Sequence, residues 1–224
     1  MTEPKTKRRK ADDTALKHKI AEAALPHIAF DGFTDKVLAA AASDAGIDKK
    51  MRARLFPGGG LDLVEAVSDM FDAEMEARLA KAKLGTLKVR QRITKAVQTR
   101  LEILKPHKEA ARRAAAFLTL PPHAPRGATL LYRTVDAMWR AAGDTSTDFN
   151  FYTKRAILAG VYSATLMRWF NDTSEDESDT DEFLARRIDD VMRFEKFKAQ
   201  VRERAKHLPS LSDILGGGAS AKRS

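Results

Sequence analysis

The side chains best suited to chemistry are few and scattered in this chain. The histidines stand at positions 18, 27, 107, 123 and 207, and none follows a glutamate by three residues, as the Glu-x-x-His motif of helical di-iron sites requires. Cysteine is absent, which excludes disulfides, thiolate catalysis and cysteine-ligated zinc. The triple glycine at 58–60 lacks the Lys-Ser/Thr of a phosphate loop, so we interpret it as a helix break.

Carboxylates are concentrated in one stretch, residues 172–182, which holds seven acids and no base. We expect this stretch to be a flexible, solvated loop, where nothing shifts a carboxyl pKa towards acid–base work. The sequence therefore disfavours an enzyme, and we predict neither a metal site nor a cofactor.

The stretch DTSTDFNFYTKRA, residues 144–156, combines three aromatic side chains with Lys154 and Arg155. The residues that follow, up to Phe170, are apolar on nearly every side of a helix, which must then be buried or face an apolar ligand. Exposed aromatics beside cations suit a protein interface or a membrane surface. The alternative is a hydrophobic staple that closes the start of the helix.

The elements that must position this stretch are all predicted to be helices. The chain has 224 residues, 43% of them hydrophobic, and no segment shows the alternation of a strand. Apolar spacing, caps and Gly/Pro breaks predict an all-α fold of about nine helices. The predicted segments are 14–30, 35–45, 48–56, 61–83, one from Thr86, 106–118, 128–142, 148–170 and 180–208.

The net charge of +9 favours an anionic partner such as nucleic acid, an anionic membrane or an acidic protein. Eleven Lys/Arg lie between Lys81 and Arg113, against two glutamates, and a second basic face is expected at 193–206. No apolar run approaches the about 20 residues of a membrane span. With Leu211, Ile214 and Leu215 as weak membrane contacts, we predict salt-sensitive peripheral attachment. We find no secretory or transit signal, and predict either a bacterial cytoplasmic protein at the inner membrane or a processed form.

About 65 residues at the start of the chain resemble the helix-turn-helix start of TetR-type regulators. The resemblance runs through Gly32-Phe33-Thr34, 41–47 with its Ala-Gly-Ile turn, and Leu55-Phe56, followed by a break and a long helix. A regulator would place Lys49, Lys50, Arg52 and Arg54 in the major groove. In such regulators an aromatic and lysine run crosses into the fourth helix. Here Pro57 and three glycines occupy that crossing and Asp62 follows, so we disfavour DNA binding and favour a retained scaffold.

The second half resembles the ubiquinone-biosynthesis accessory family commonly called coenzyme Q protein nine. The match covers about 50 residues, in the order of the family pattern. The chain carries the following residues of that pattern: Gly143, Asp144, Ser146, Asp148, Asn150, Tyr152, Thr153, Lys154, Arg155, Leu158, Ala159, Val161, Tyr162, Thr165, Thr180, Phe183, Leu184, Arg186, Arg187 and Ile188.

This resemblance implies a dimeric TetR-like fold that has lost gene regulation. It implies a non-catalytic protein that binds isoprenoid quinone intermediates or other lipids, associates with the membrane and presents substrate to the hydroxylase of the pathway. The expected organisation is a disordered basic arm (1–12), a helix-turn-helix-like part (13–60), a lipid-binding and dimerisation domain (61–208) and a flexible tail with a short apolar segment (209–224).

The candidate sites follow from the same resemblance and from the two apolar helices, which could hold an isoprenoid chain between them or simply form the core. The predicted lipid-binding residues are Leu131, Val135, Met138, Trp139, Ile157, Val161, Tyr162, Leu166, Met167 and Phe170. The predicted partner-binding residues are Asp148, Asn150, Phe151, Tyr152, Lys154 and Arg155; Phe151 is often Trp in the family. Two alternatives remain: a ligand-controlled TetR-type repressor, and a structural adaptor without a ligand.

Overall fold

The computed structural model describes residues 5–147 and 149–206 of the chain. Within them it contains nine α-helices and no strand, which confirms the all-α prediction. The helices are α1 Lys5–Asp31, α2 Asp35–Asp44, α3 Lys49–Leu55, α4 Gly60–Lys81, α5 Val89–Leu104, α6 Lys108–Thr119, α7 Ala124–Ala141, α8 Phe149–Phe170 and α9 Ser178–Lys206. Short 3₁₀ turns at Leu84–Thr86, Lys105–His107 and Glu175–Glu177 join some of them.

The first helix is longer than its apolar pattern predicts, because α1 begins at Lys5 rather than Thr14. The basic arm predicted as disordered over 1–12 is therefore helical from Lys5 onward. The next boundaries follow local capping. The Thr34 hydroxyl accepts from the N–H of Val37 at 3.2 Å, and the Asp48 carboxylate accepts from the N–H of Met51 at 2.8 Å.

The glycines before α4 serve a close approach between helix starts. Gly59 has a φ of +59°, and a side chain on Gly60 would place its Cβ 2.2 Å from the carbonyl oxygen of Phe33, just before α2. Asp62 accepts from the N–H of Gly58 at 2.7 Å and closes the turn. The triple glycine is thus a helix break with a packing reason, as its sequence context predicts.

The second half forms a helical bundle in which α8 packs against α7 and α9, while α4 packs against α1, α5 and α7. Met138 of α7, Trp169 of α8 and Leu184 of α9 are fully buried in its core. The apolar residues of α5 point the same way, since Ile93, Val97 and Leu101 are all buried at helical spacing.

The acidic stretch is not the flexible loop that its composition predicts. The buried Asp172 carboxylate accepts from the N–H of Ser174 at 2.9 Å and from the N–H of Thr180 at 2.8 Å, and so caps the first turn of α9. Burial raises the pKa of Asp172, but the hydrogen bonds from Ser174 and Thr180 outweigh it and hold that pKa below its usual range. The expectation of a flexible, solvated segment was therefore wrong for Asp172, although its lowered pKa does not suit it to acid–base work.

Candidate functional site

The turn between α7 and α8 is built around one buried carboxylate. The chain leaves α7 through Gly143, at φ +85°, and Asp144 then folds beneath the start of α8. Its side chain is 4% exposed and accepts from the Ser146 hydroxyl at 2.6 Å, the Lys154 Nζ at 2.8 Å and the Arg155 Nη1 at 3.0 Å. These bonds fasten the second turn of α8 to the preceding loop.

Arg155 joins this carboxylate to helix α7. Its side chain is 2% exposed, with Nε 2.6 Å from an oxygen of Asp136 and Nη1 3.1 Å from the carbonyl oxygen of Phe151. The guanidinium carbon also lies 3.4 Å from the centre of the Phe151 ring. Arg155 is therefore not available to a partner, and its prediction as a partner-binding residue was wrong. A charged residue at an expected surface is buried here because two aspartates neutralise it.

Charge is retained throughout this buried network. Burial raises the pKa of Asp144, but hydrogen bonds from Lys154, Ser146 and Arg155 more than offset it, so the pKa lies well below the ordinary value. Burial alone would lower the pKa of Arg155, whereas its bonds to Asp136 and Asp144 raise it. Both groups are ionised at neutral pH, and the network is an ion cluster rather than a set of neutral hydrogen bonds.

Lys154 and Trp139 close the same network from the side. The Trp139 indole Nε1 donates to the Lys154 carbonyl at 3.1 Å, and the Lys154 Nζ lies 5.5 Å from the Trp139 ring centre. The Lys154 ammonium is directed towards Asp144, so it too holds the turn together. These contacts tie the end of α7 to the second turn of α8.

The surface that remains is aromatic. Tyr152 is 65% exposed, and its ring meets the half-buried Phe151 ring edge to face, with centres 5.1 Å apart. The side chain of Asn150 and all of Asp148 lie outside the described residues, as do Leu211, Ile214 and Leu215. Of the predicted partner-binding residues, the structure thus presents Tyr152 at the surface, with the half-buried Phe151 and Lys154 beside it. The turn beneath them is held by Asp144 and Arg155.

The predicted lipid-binding residues separate into three groups by exposure. Five are buried in the core: Val135, Met138, Val161, Tyr162 and Phe170. Four are partly exposed: Leu131, Trp139, Ile157 and Leu166. Met167 is 60% exposed. They therefore do not share one environment, and the buried five pack as core residues of the bundle.

Helix α8 nevertheless presents a largely apolar side to solvent, interrupted by the partly exposed Ser163. Tyr152, Ala156, Gly160 and Met167 are all exposed and fall within about 80° on a helix that turns about 100° per residue. We refer to these four residues as the outer strip of α8. Small residues in its middle leave a shallow surface between two larger side chains, and the aromatic pair forms one end of it.

A buried polar cluster lies on the inner side of α8 and was missed by sequence reasoning. Arg100 of α5 is buried, and its Nη1 lies 2.9 Å from an oxygen of Asp72, which also accepts from the Thr134 hydroxyl at 3.0 Å. Burial raises the pKa of Asp72 despite Arg100, and raises that of Tyr162, whose hydroxyl contacts the same guanidinium. The Arg100 Nε has no acceptor among the described residues. The missed signal was spacing, because Arg100 follows the buried Ile93 by seven residues, on the apolar face.

The chain is similar to known proteins over most of its length. A family model described as COQ9 matches residues 124–195, which include the α7–α8 network. The mitochondrial ubiquinone biosynthesis protein COQ9 of Rattus norvegicus is 34% identical over 214 residues, covering 92% of this chain and 68% of the rat protein. The chain belongs to the COQ9 family. The human COQ9 protein is also 34% identical over 214 residues, covering 92% of this chain and 66% of its own length.

Membership of the COQ9 family supports a role for the chain in ubiquinone biosynthesis. Among solved structures, a TetR transcriptional regulator from Nitrosomonas europaea superposes with a TM-score of 0.60 at 20% identity, covering 78% of this chain and 96% of the regulator. At that identity the likeness shows the TetR-like fold alone. Both resemblances drawn from the sequence, to this fold and to the COQ9 family, are confirmed.

The TetR-like part of this COQ9 family member keeps some cations of a recognition helix. Lys49 and Lys50 are exposed on α3, and Arg52 is partly exposed. Arg54, however, binds Asp13 of α1 through two hydrogen bonds, at 2.7 and 2.8 Å, so it serves helix packing. One of the four predicted DNA contacts is thus already occupied within the chain.

The long basic run contributes less free charge than its composition suggests. Eight of its eleven cations bind acids or backbone carbonyls: Arg90, Arg92, Lys95, Arg100, Lys105, Lys108, Arg112 and Arg113. In the part of the chain that the structure describes, Lys81, Lys83 and Lys88 have no ion pair, and they surround the α4–α5 turn. The side chains of the second basic face lie largely outside that part, and none of its helices is both long and apolar enough to cross a bilayer.

Proposed function

We propose that this chain is a non-catalytic accessory protein of ubiquinone biosynthesis, without a cofactor of its own, that binds an isoprenoid intermediate or another lipid and presents it to a hydroxylase. The observation that carries the proposal is the outer strip of α8, an exposed apolar surface that ends in the Phe151–Tyr152 pair. Membership of the COQ9 family supports the pathway. The strip and the pair support the two contacts that presentation requires.

The lipid-binding part of the proposal rests on the apolar character of the strip. An isoprenoid chain laid along Gly160 towards Met167 would cover surface that is otherwise exposed to water, at about 25 cal/mol per Å² of apolar area buried. Methionine adapts to irregular apolar ligands, and the small residues leave room for a chain. We place the lipid here rather than between α7 and α8, since Val135, Met138 and Val161 are already packed against their neighbours.

The hydroxylase-binding part rests on the aromatic pair and its support. Exposed tyrosines are frequent centres of protein interfaces, because a rigid ring buries a large area at small entropic cost. The ion cluster of Asp144 and Arg155 holds the turn beneath Tyr152 in one conformation. A preformed surface loses less free energy on binding than a mobile one does.

We also propose that the protein is a homodimer attached peripherally to the inner membrane of a bacterium. The unpaired Lys81, Lys83 and Lys88 form the cationic edge that would meet anionic lipids, at about 1 kcal/mol each. The outer strip of α8 has two candidate occupants, a lipid and a second copy of the chain. Lipid content and molar mass distinguish them.

Lipid binding is tested by native mass spectrometry and lipid extraction of protein purified without detergent. We expect an isoprenoid quinone or a phospholipid at about one per chain, reduced several-fold by Met167→Lys. Leu120→Lys, at an exposed apolar site after α6, is the matched control and should keep the lipid. If Met167→Lys instead halves the molar mass in light scattering and leaves lipid unchanged, the strip is a dimer contact and our placement of the lipid is wrong.

Partner binding is tested by capture of the pathway hydroxylase with the purified chain. Tyr152→Ala should weaken capture at least tenfold, whereas Tyr132→Ala, at an exposed tyrosine of α7, should leave it unchanged. Equal losses in both variants would contradict a specific surface at the start of α8. Sequence-specific binding of a DNA probe by the lipid-free protein would favour the repressor alternative.

A further inference from the structure

Two turns meet at one end of the bundle, the turn between α4 and α5 and the turn between α7 and α8. Arg92, near the start of α5, joins them through backbone carbonyls. Its Nε donates to the carbonyl oxygen of Leu87 at 2.8 Å and its Nη2 to that of Gly85 at 3.1 Å. Its Nη1 donates to the carbonyl oxygen of Ala142 at 3.0 Å. We refer to these three hydrogen bonds as the Arg92 bridge, which closes the α4–α5 turn and fastens it to the end of α7.

The α7–α8 turn leaves room for the Arg92 side chain. Gly143 follows Ala142 with a φ of +85°, and a side chain on Gly143 would place its Cβ 3.2 Å from Nη1 of Arg92. The next residue is Asp144, the centre of the ion cluster beneath the aromatic pair. The Arg92 bridge therefore ends two residues before the carboxylate that supports the proposed hydroxylase-binding surface.

The α4–α5 turn carries positive charge that no acid of its own offsets. Residues 81–92 contain five cations and no acid. Arg90 pairs with Asp189 of α9 at 2.6 Å. Among the described residues, Arg92 binds carbonyls rather than a carboxylate, and the three lysines of the turn have no ion pair. Because neighbouring like charges repel, an anionic surface over the lysines removes a force that opposes the closed turn.

We propose that Arg92 is a positioning residue that couples an anionic membrane at the α4–α5 turn to the order of the α7–α8 turn. Lipid phosphates that neutralise the lysines keep the Arg92 bridge closed, and the closed bridge holds the turn beneath the aromatic pair. Coupling of this kind is reciprocal, so a partner bound at the aromatic pair also strengthens membrane attachment. The inference rests on the peripheral attachment and the hydroxylase-binding surface that we propose for the chain, and it names the residue through which one acts on the other.

Two backbone amides report the order of the α7–α8 turn. The N–H groups of Gly143 and Asp144 donate to the carbonyl oxygens of Arg140 and Trp139, at 2.9 and 3.0 Å. Their hydrogen–deuterium exchange is measured by mass spectrometry in the full-length protein, with and without phosphatidylcholine vesicles that contain phosphatidylglycerol. We expect the anionic vesicles to slow this exchange about fivefold or more. Vesicles of phosphatidylcholine alone should leave it unchanged, as should either kind of vesicle for the amides at 45–46 in the α2–α3 turn.

Variants of the α4–α5 turn separate the bridge from the charge. Arg92→Lys keeps the positive charge but lacks the planar fork that reaches three carbonyls. It should sediment with anionic vesicles as the wild type does, yet lose most of the vesicle-induced slowing. Arg92→Gln is measured alongside and should lose it too. Arg90→Gln, the matched control, removes a cation of the same turn whose exposed pair with Asp189 lies outside the bridge, and should keep the slowing.

The functional consequence is measured in the capture assay with the pathway hydroxylase. Anionic vesicles should strengthen capture by the wild-type chain about fivefold or more, and capture by Arg92→Lys less than about twofold. Equal strengthening in both chains would contradict a role for Arg92.

The outcomes separate the coupling from the functions on which it rests. Sedimentation with anionic vesicles, without slowing at Gly143 and Asp144, would overturn the coupling and leave the membrane attachment intact. Slowing that persists in Arg92→Lys and Arg92→Gln would show that the two turns respond through proximity alone. No sedimentation at all would contradict the attachment and the coupling together, whereas the aromatic surface would still be judged by capture without vesicles.

Discussion

Replacing Asp144 with asparagine removes the charge at the centre of the α7–α8 network while keeping its shape. In the wild-type chain that carboxylate accepts from Ser146, Lys154 and Arg155, at 2.6, 2.8 and 3.0 Å. Asparagine offers one oxygen in place of two and turns a donor towards the guanidinium. Arg155, which is 2% exposed, is then left with Asp136 as its counter-ion.

The size of the effect follows from burial. Removing one partner of a buried ion pair costs about 3–5 kcal/mol. Two features reduce this figure, because Asp136 still binds the Arg155 Nε at 2.6 Å and the Lys154 ammonium can turn towards water. We therefore expect Asp144→Asn to lower the free energy of unfolding by about 2–3 kcal/mol, which for a chain of this size lowers Tm by about 4–12 °C.

The assay is thermal unfolding followed by circular dichroism, with Glu182→Gln as the control. Glu182 also pairs with an arginine, but on the exposed surface, so its loss should change Tm by less than about 2 °C. A decrease of less than about 1 kcal/mol in Asp144→Asn would refute the buried-cluster account.

The pH dependence of the same comparison gives a second check. Because the folded pKa of Asp144 is lowered, its contribution is complete above the unfolded value of about 3.9 and is lost as pH falls through the folded value. The stability difference between wild type and Asp144→Asn should thus be constant from about pH 5 to 7 and shrink below about pH 4. A difference that grows on acidification would contradict the sign of the shift.

Three further predictions concern other parts of the structure. Gly60→Ala should lower stability by about 1–3 kcal/mol in urea unfolding, because its Cβ would overlap the Phe33 carbonyl, whereas Gly85→Ala, with open space around it, should cost less than half as much. Asp72→Asn should lower the free energy of unfolding by about 3–5 kcal/mol, because it leaves the Arg100 charge unpaired. The double replacement Asp72→Leu with Arg100→Met should recover most of this loss. A double variant as unstable as the single one would contradict this. Sedimentation of the protein with anionic vesicles should decrease steeply from about 50 to about 300 mM salt. Replacing Lys81, Lys83 and Lys88 by glutamine should weaken it. Vesicle binding that does not change with salt would refute an electrostatic attachment.

The helices were predictable because local signals determine them. Thr34 and Asp48 cap their helices as their residue types suggest, and the apolar spacing of α5 places Ile93 and Leu101 in the core. The beginning of α1 was not predictable in the same way, because residues 5–13 are polar and carry no apolar periodicity. Helices of that kind are detected poorly by patterns of burial.

The role of Arg155 illustrates what sequence alone does not supply. A cation beside exposed aromatics is ordinarily solvated, and nothing local marks the partners of Arg155, which stand 11 and 19 residues earlier in the chain. Family resemblance pointed to this stretch but not to the direction of its side chains. The environment of Asp172 could not be predicted either, because the hydrogen bonds that it accepts depend on the geometry of the turn between α8 and α9.

The predicted lipid-binding residues differ in exposure because the sequence pattern does not show how α8 is packed. Helix α8 is apolar on nearly every side, so the pattern could not separate the buried Val161 and Tyr162 from the exposed Met167. Tertiary packing decides which side faces α7 and which faces solvent. The outer strip of α8 is therefore defined by the packing of the neighbouring helices and could not be predicted from the sequence of α8 alone.

The role that we propose for the chain is to present a substrate to a hydroxylase of ubiquinone synthesis. The most direct measurement is the ubiquinone content and the ring-unhydroxylated precursor content of parent cells in which the gene is deleted and then restored. We expect low ubiquinone and accumulated precursor in the deletion, recovery with the wild-type gene and with Tyr132→Ala, and little recovery with Tyr152→Ala. Normal ubiquinone in the deletion, or full recovery by Tyr152→Ala, would contradict it.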